Sequence, residues 1–298
     1  MRIEAKSYDP HQDAKFSILI PTWNNLDYLT LCVAGIRKHS DHQNQQIVHV
    51  NEGSGGSLEW VRNQEIDHTW SRENVGVCHA LNAVAKLART PHLCYINDDM
   101  YAFPGWDGFL WQEIISMPQD RWFLSATMIE PLETGNACAL APHDFGREAE
   151  RFDEQGLLEC FSKMPKADWS GATWLLNVVP KRIWEAVGGY SEELSPGMSS
   201  DPDFSMKLWQ IGVRHFRGLG RSRVYHFQTK STGKVKKNDG PGQFLKRWGI
   251  TQGTFGKYYL RRGTEWKGEL PPPGPAFSLG LATVKGFFKR LLAGTGGA

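Results

Sequence analysis

Leu93-Cys94-Tyr95-Ile96-Asn97-Asp98-Asp99 is an apolar run that ends in an amide and two adjacent carboxylates. Thr90 and Pro91 break the chain just before it, and a short apolar segment bounded by breakers reads as a buried parallel strand. Asp98 and Asp99 then stand where that strand surfaces. Ligands of open α/β sheets gather at the carboxyl ends of the strands, and adjacent carboxylates there form a hard, oxygen-rich site for Mg²⁺ or Mn²⁺. On local grounds alone, an Asx turn closing the strand reads the same triplet equally well.

Upstream, the same pattern recurs. Phe16 to Ile20 is an apolar strand broken by Pro21 and followed by Thr22, Trp23, Asn24 and Asn25. Leu26, Leu29, Val33 and Ile36 then keep helical spacing through His39. Gln46 to Val50 predicts a second strand, ending in the turn-rich Asn51-Glu52-Gly53-Ser54-Gly55-Gly56. A helix from Ser57 to about Arg62, a short strand near His68 to Trp70 and the turn Asn74-Val75-Gly76 come next. A helix over His79 to Ala88 follows, with Ala80, Leu81, Val84 and Leu87 on one face. Strands alternating with helices specify a doubly wound, mostly parallel sheet with right-handed crossovers.

Downstream the signal weakens. Trp122 to Met128 predicts a strand, while Thr134 to Lys166 has no clear period and yields no assignment. Trp169 to Val178 predicts another strand, and Lys181 to Val187 a short helix stopped by Gly188 and Gly189. Asp203 to Ile211 has helical spacing, and Val224 to Phe227 reads as a last strand. The polar, Lys- and Gly-rich stretch from Thr229 to Gly242 is a candidate mobile loop. A helix is expected over Gln243 to Arg262. The expected organisation is an α/β catalytic domain over 1–242 and a C-terminal helical extension over 243–298, with a stiff Pro-rich linker at 271–275. Within the tail, 276–298, the residues Phe277, Leu281, Val284, Phe287, Phe288, Leu291 and Leu292 recur at helical steps beside Lys285, Lys289 and Arg290. Such a basic amphipathic helix lies in a membrane interface or packs on the body, and its pattern does not choose between them.

At 298 residues, 40% hydrophobic and 22% charged, the chain is globular in composition and can bury a substantial core. Its net charge of +2 hides an asymmetry: residues 221–298 hold 15 Lys/Arg against 3 Asp/Glu, leaving 19 against 29 in the rest. An acidic body joined to a basic tail suits a polyphosphate ligand or an anionic membrane surface. The basic residues match no nucleic-acid motif, so no nucleic-acid partner is expected. Five cysteines, none in a CxxC pair, read as buried reduced thiols. The polar Met1 to Lys15 reads as no signal peptide, and no apolar stretch approaches the ~20 residues of a membrane span. The expectation is a cytoplasmic protein, peripheral on the inner face of the membrane if the tail takes lipid.

Taken in order, several segments resemble the family 2 glycosyltransferases of the GT-A fold, which transfer a sugar from a nucleotide-sugar donor. They are Ile18-Leu19-Ile20-Pro21-Thr22-Trp23-Asn24, Asn51-Glu52-Gly53-Ser54, Asn74-Val75-Gly76 with Ala80 and Asn82, Asn97-Asp98-Asp99, and Gly188-Gly189-Tyr190 ahead of Asp201-Pro202-Asp203. The resemblance spans roughly residues 15 to 250. It implies an inverting, metal-dependent transferase with a divalent metal cofactor (Mn²⁺ or Mg²⁺), a nucleotide-diphosphate sugar donor, by default a UDP-sugar, and a glycan or lipid-linked acceptor. Asp99 is the implied direct metal ligand and His226 its partner. Pro21, Thr22, Trp23, Asn24, Glu52, Asn74, Gly76, Asn82, Asn97 and Asp98 are implied on the donor, and Asp201 as general base, because a sugar hydroxyl is too weakly acidic to attack unaided. Asp203 reads as a helix cap.

The chain departs from the family pattern at Ser200, where a Glu is usual, and at Asn97, where many relatives carry a third carboxylate. The loop from Thr229 to Lys237, with Lys230, Lys234, Lys236 and Lys237, is placed to close over a diphosphate. Trp106, Trp169 and Trp174 are candidate faces for an acceptor sugar, with Trp174 the best candidate for a core role instead. A sugar-1-phosphate nucleotidylyltransferase is the second reading, but it wants a Gly-rich loop with Arg and Lys after the first strand, which Pro21-Thr22-Trp23-Asn24 is not. A catalytically inactive glycan-binding or scaffold protein of the same fold is the third, slightly favoured by Ser200 and Asn51.

Overall fold

The computed structural model describes residues 2–8, 13–229, 237–275 and 279–280. Most of the basic tail, and Lys230, Lys234 and Lys236 of the expected loop, lie outside the described residues.

In chain order the elements are β1 (Ile3–Lys6), β2 (Phe16–Trp23), α1 (Leu26–His39), β3 (Asn44–Asn51), α2 (Ser57–Asn63), β4 (Asp67–Ser71), α3 (Gly76–Ala85), β5 (His92–Tyr95), β6 (Met100–Ala102), α4 (Trp106–Ser116) and β7 (Trp122–Ile129). They continue with α5 (Glu154–Cys160), β8 (Trp169–Ser170), β9 (Asn177–Pro180), α6 (Lys181–Ala186), α7 (Ser200–Gln210), β10 (His215–His226) and α8 (Gly240–Trp248). The strands form one sheet in the order β1-β4-β3-β2-β5-β9-β7-β10-β6, with β8 paired to β10. The β2–β3, β3–β4, β2–β5 and β7–β10 ladders are parallel, whereas β9 runs antiparallel between β5 and β7. Because β9 reverses direction twice over, β7 and β10 point the same way as β2 to β5. The expected parallel sheet flanked by helices is present, with antiparallel insertions that periodicity does not reveal.

Burial explains the strongest sequence signals. Phe16, Ile18, Leu19 and Ile20 of β2 are fully buried, as are Ile47, Val48 and Val50 of β3, so both strands carry mostly apolar runs, interrupted only by the buried Ser17 and His49. Leu29, Cys32, Val33 and Ile36 form the buried face of α1, and Leu81 and Val84 that of α3.

Several expectations change. β1 and β6 pair antiparallel with β4 and β10, and neither has a distinctive local pattern. The expected strand over 169–178 is two short strands, β8 and β9, joined by an irregular crossing. The expected last strand is only the end of β10, whose first half, with Arg217, Gly218 and Gly220, lacks an apolar run. The expected helix over 243–262 breaks at Gly249, a left-handed cap at φ 75°. Phe244, Ile250, Phe255, Leu260 and Leu270 join the same core as the sheet, so the chain beyond Gly242 closes that core. All five cysteines are free thiols, four of them buried.

Candidate active site

Six strands, β2, β3, β4, β5, β7 and β10, bring their carboxyl ends to one edge of the sheet, and most candidate residues end or follow one of them. Thr22 lies one residue before the end of β2, Asn51 ends β3, Asp98 and Asp99 follow β5, Glu130 follows β7, and His226 ends β10. Asp201 enters from the first turn of α7. All of them except Glu130 line a cleft of about 490 Å³ whose walls include Pro21, Thr22, Trp23, Asn74, Gly76, Asn97, Asp98, Asp99, Asp201 and His226.

One side of the cleft is a chain of short hydrogen bonds. The Thr22 hydroxyl donates to Asp98 Oδ2 at 2.7 Å. Asn51 links two loops, its Nδ2 donating to the Thr22 carbonyl at 3.4 Å while its Oδ1 accepts from the Val75 amide at 2.9 Å. Asn74 Oδ1 accepts from the Gly76 amide at 2.9 Å and so shapes the entry to α3. Glu52, expected on the donor, is exposed and does not line the cleft; its carboxylate accepts from Trp23 Nε1 at 2.8 Å and Asn24 Nδ2 at 3.3 Å. Asn24 lines the adjoining cavity of about 710 Å³ with Tyr28 and Arg147.

The acidic pair divides its work. Asp99 is buried, and its Oδ2 accepts from the Thr229 amide at 3.0 Å and hydroxyl at 2.8 Å. Burial alone would raise its carboxyl, but His226 and Thr229 outweigh it and hold Asp99 below the ordinary carboxylate value. Asp98 lacks such a cation: burial, then the neighbouring Asp99 charge, push it up to about 7 against the Thr22 hydrogen bond. His226 stands between two carboxylates, Nε2 at 3.6 Å from Asp99 Oδ2 and Nδ1 at 2.8 Å from Glu130 Oε1. Burial lowers its pKa, but Asp99 and Glu130 more than reverse this and raise it to about 9.

Two groups here are of the kind that hold a divalent cation. Asp99 offers a carboxylate oxygen and His226 an imidazole nitrogen, and Glu130 holds the other ring nitrogen, the outer carboxylate that orients a ligating histidine. Among the described residues no group of three or more His, Cys, Asp or Glu side chains is placed to hold a metal ion. A cation held here would therefore complete its shell with water and substrate oxygens.

Asp201 faces the acidic pair from α7. The Tyr190 hydroxyl donates to its Oδ1 at 3.0 Å. Burial raises its carboxyl and the Tyr190 bond lowers it, leaving it at about 6, in the range of a general base at neutral pH. Asp203 does not cap α7 as expected: its buried carboxylate accepts from Ser191 Oγ at 2.6 Å and from Trp248 Nε1 at 2.8 Å, tying α8 to the helix that carries Asp201. Ser200 donates to the Gly197 carbonyl at 2.8 Å and is engaged in the turn.

Asn82 requires a correction. Expected on the donor, it turns away from the cleft, accepting from the Tyr190 amide at 2.9 Å and donating to the Tyr190 carbonyl at 2.8 Å. Helical phase explains this: Asn82 lies on the flank of α3 that packs against the 189–192 segment. The tryptophans are also reassigned. Trp106 and Trp169 are core residues, 0% and 2% exposed, whereas Trp174, expected in the core, packs partly buried against it and also lines a second cavity. Sequence reading missed Glu130 and Tyr95. Glu130 follows an apolar strand as Asp98 does, and that signal was available. Tyr95 donates to Asn97 Oδ1 at 3.0 Å and lines the cleft.

Residues 17–120 match the profile described as Glycosyl transferase family 2. No curated protein matches the sequence. Among solved structures, S. aureus TarS 1–349 in complex with UDP-GlcNAc aligns at TM-score 0.55 and 15% identity, over 78% of this chain and 64% of that one. The complex of the same protein with UDP aligns at 0.51 and 17% identity, over 78% and 62%. S. aureus TarS aligns at 0.55 and 12% identity, over 94% of this chain and 44% of that one. The chain thus spans less than two thirds of the length of the TarS chains it matches. Residues 17–120 resemble family 2 glycosyltransferases, and the sheet built around them has the GT-A fold.

Proposed function

We propose that the chain is an inverting glycosyltransferase that moves a sugar from a nucleoside-diphosphate sugar, by default a UDP-sugar, to a hydroxyl of a glycan or lipid-linked acceptor. The observation that carries this reading is the meeting of two carboxylate centres in one cleft, Asp98-Asp99 after β5 and Asp201 at the start of α7. The family segment contains every donor-side residue of that cleft from Pro21 to Asp99, and the matched S. aureus TarS structures hold UDP and UDP-GlcNAc.

In this reading Pro21, Thr22, Trp23, Asn74 and Gly76 receive the nucleotide, on a wall that Asn51 braces. A divalent cation held by Asp99 and His226 supplies Lewis-acid stabilisation of the charge left on the departing nucleoside diphosphate. Glu130 keeps the imidazole turned toward Asp99. Asp201 takes the proton of the acceptor hydroxyl as its oxygen attacks the anomeric carbon. The new C–O bond forms as the bond to the diphosphate breaks on the opposite face, which inverts the anomeric centre. A carboxylate at about 6 is ionised at neutral pH and is a stronger base than an ordinary aspartate.

Calorimetric titration of UDP, GDP and dTDP with and without Mn²⁺ tests the donor site. Metal-dependent binding of at least one is expected, and none for all three overturns the reading. The basic tail, 276–298, is the part suited to an anionic bilayer. Cosedimentation with anionic liposomes should fall for a chain ending at 275, and equal sedimentation overturns the membrane role.

A further inference from the structure

Asp201 and His226 line two cavities. Besides the cleft described above, they border a second one of about 580 Å³, walled by Glu130, the 134–138 loop, Trp174 and Arg262. If the first cleft holds the donor, the second reaches Asp201 from the other side, where an acceptor hydroxyl must come.

The charges on its wall are unequal in status. Glu130 is paired with His226 at 2.8 Å, and Asp201 is hydrogen-bonded by Tyr190. Arg262 has neither kind of partner among the described residues; its guanidinium lies over the Trp174 ring at 4.9 Å from the centroid. A flat, always-charged fork resting on an aromatic face presents its donors to a carboxylate or phosphate.

The backbone beneath Arg262 is built for close approach. A Cβ on Gly171 (φ +84°) would sit 2.8 Å from Arg262 Cα, and one on Gly263 (φ +81°) 2.5 Å from Ala137 Cβ. Only glycine fits both places. The first lets the 260–263 turn press on the segment leading to Trp174, and the second locks it against the loop that walls the cavity. Lys166 holds that loop from behind, donating to the Ala137 carbonyl at 2.7 Å and the Ala139 carbonyl at 3.2 Å.

We propose that the second cavity is the acceptor subsite and that Arg262, stacked on Trp174, selects an acceptor sugar bearing an oxyanion, either phosphate or carboxylate. The proposal rests on the donor reading of the first cleft. It is tested by saturation-transfer NMR on the full chain, with and without saturating UDP and Mg²⁺, using methyl glucoside, glucose 6-phosphate and glucuronate as probes. At least one charged sugar should bind about tenfold more tightly than methyl glucoside, the scale of one charge-assisted contact. The two charged probes tell phosphate from carboxylate selection. Arg262→Ala should erase the preference and leave UDP affinity unchanged, while Arg262→Lys should keep part of it. Equal binding of charged and neutral sugars, no binding of any, or a preference that survives Arg262→Ala overturns the proposal. Loss of UDP binding in the wild-type chain overturns the donor reading instead, and the two failures are read in the same samples.

Discussion

The Tyr190 hydroxyl donates a hydrogen bond of 3.0 Å to Asp201 Oδ1, and its ring lies flat on Phe204, with centroids 4.7 Å apart at an interplanar angle of 7°. Asn82 grips the Tyr190 backbone from the other side through both amide atoms. The proposed base is therefore aimed by a side chain that does not itself line the cleft. Wild-type turnover should fall as pH drops through about 6, because a protonated Asp201 cannot accept the acceptor's proton. The Tyr190 bond lowers that value, so Tyr190→Phe should move the acidic limb of the kcat profile to higher pH. A limb that stays in place removes Tyr190 from the positioning role.

Asp201→Asn keeps the shape of the side chain and removes the base. Transfer should fall about 100- to 10,000-fold, the usual range for general base catalysis, with UDP affinity unchanged. Turnover near the wild-type rate would assign the base elsewhere.

Glu130 holds His226 from the side opposite Asp99. Glu130→Gln should weaken Mn²⁺ about 10- to 100-fold, as losses of an outer partner of a metal ligand do, with most activity regained at saturating metal. Titrating Mn²⁺ against UDP binding gives the shift directly, and an unchanged curve would separate Glu130 from the cation.

Asp98 is raised to about 7 by burial and by Asp99. An acid whose folded pKa exceeds its unfolded value binds its proton more tightly in the native state. Its contribution to stability is full below the unfolded value of 3.8 and is lost as pH rises through about 7. Chelator-treated Asp98→Asn should therefore melt above the wild-type protein at pH 8, with the gap narrowing toward pH 5. Melting curves followed by circular dichroism decide this, and a variant that melts no higher at pH 8 contradicts the assignment.

Asp203 is 0% exposed, and its carboxylate accepts from Ser191 and Trp248. Asp203→Ala leaves the buried Ser191 hydroxyl and the half-buried Trp248 indole without that acceptor and should destabilise the fold by about 3 kcal/mol. Urea unfolding measures it; a loss well under 1 kcal/mol would show that α8 is held by packing alone.

Much of the fold was legible where one element carries its own signal. The runs at 16–20, 46–50 and 93–96 are apolar because those strands are covered on both faces, and α1 and α3 keep their period because one face is covered. β1, β6 and the first half of β10 were not legible, since their places depend on partners far along the chain. The site divides the same way. Thr22, Asn74, Asp98, Asp99, Asp201 and His226 stand at ends of elements, and the cleft contains all of them. Asn82 misled because its motif position says nothing about which flank of α3 faces the ligand, and Trp106 and Trp169 because a ring's burial is set by what packs around it.

By itself the sequence determined that carboxylates would surface at strand ends, because a strand buried on both faces can place a charged residue only where it leaves the core. Tertiary structure alone decided which of those groups would meet. His226 and Glu130 are 96 residues apart and are neighbours because β10 lies beside β7, an adjacency that no local period encodes. Tyr190 reaches Asp201, Trp248 reaches Asp203 and Arg262 reaches Trp174 for the same reason: each contact joins two elements whose relative position is set by burying the common core, not by the residues that touch.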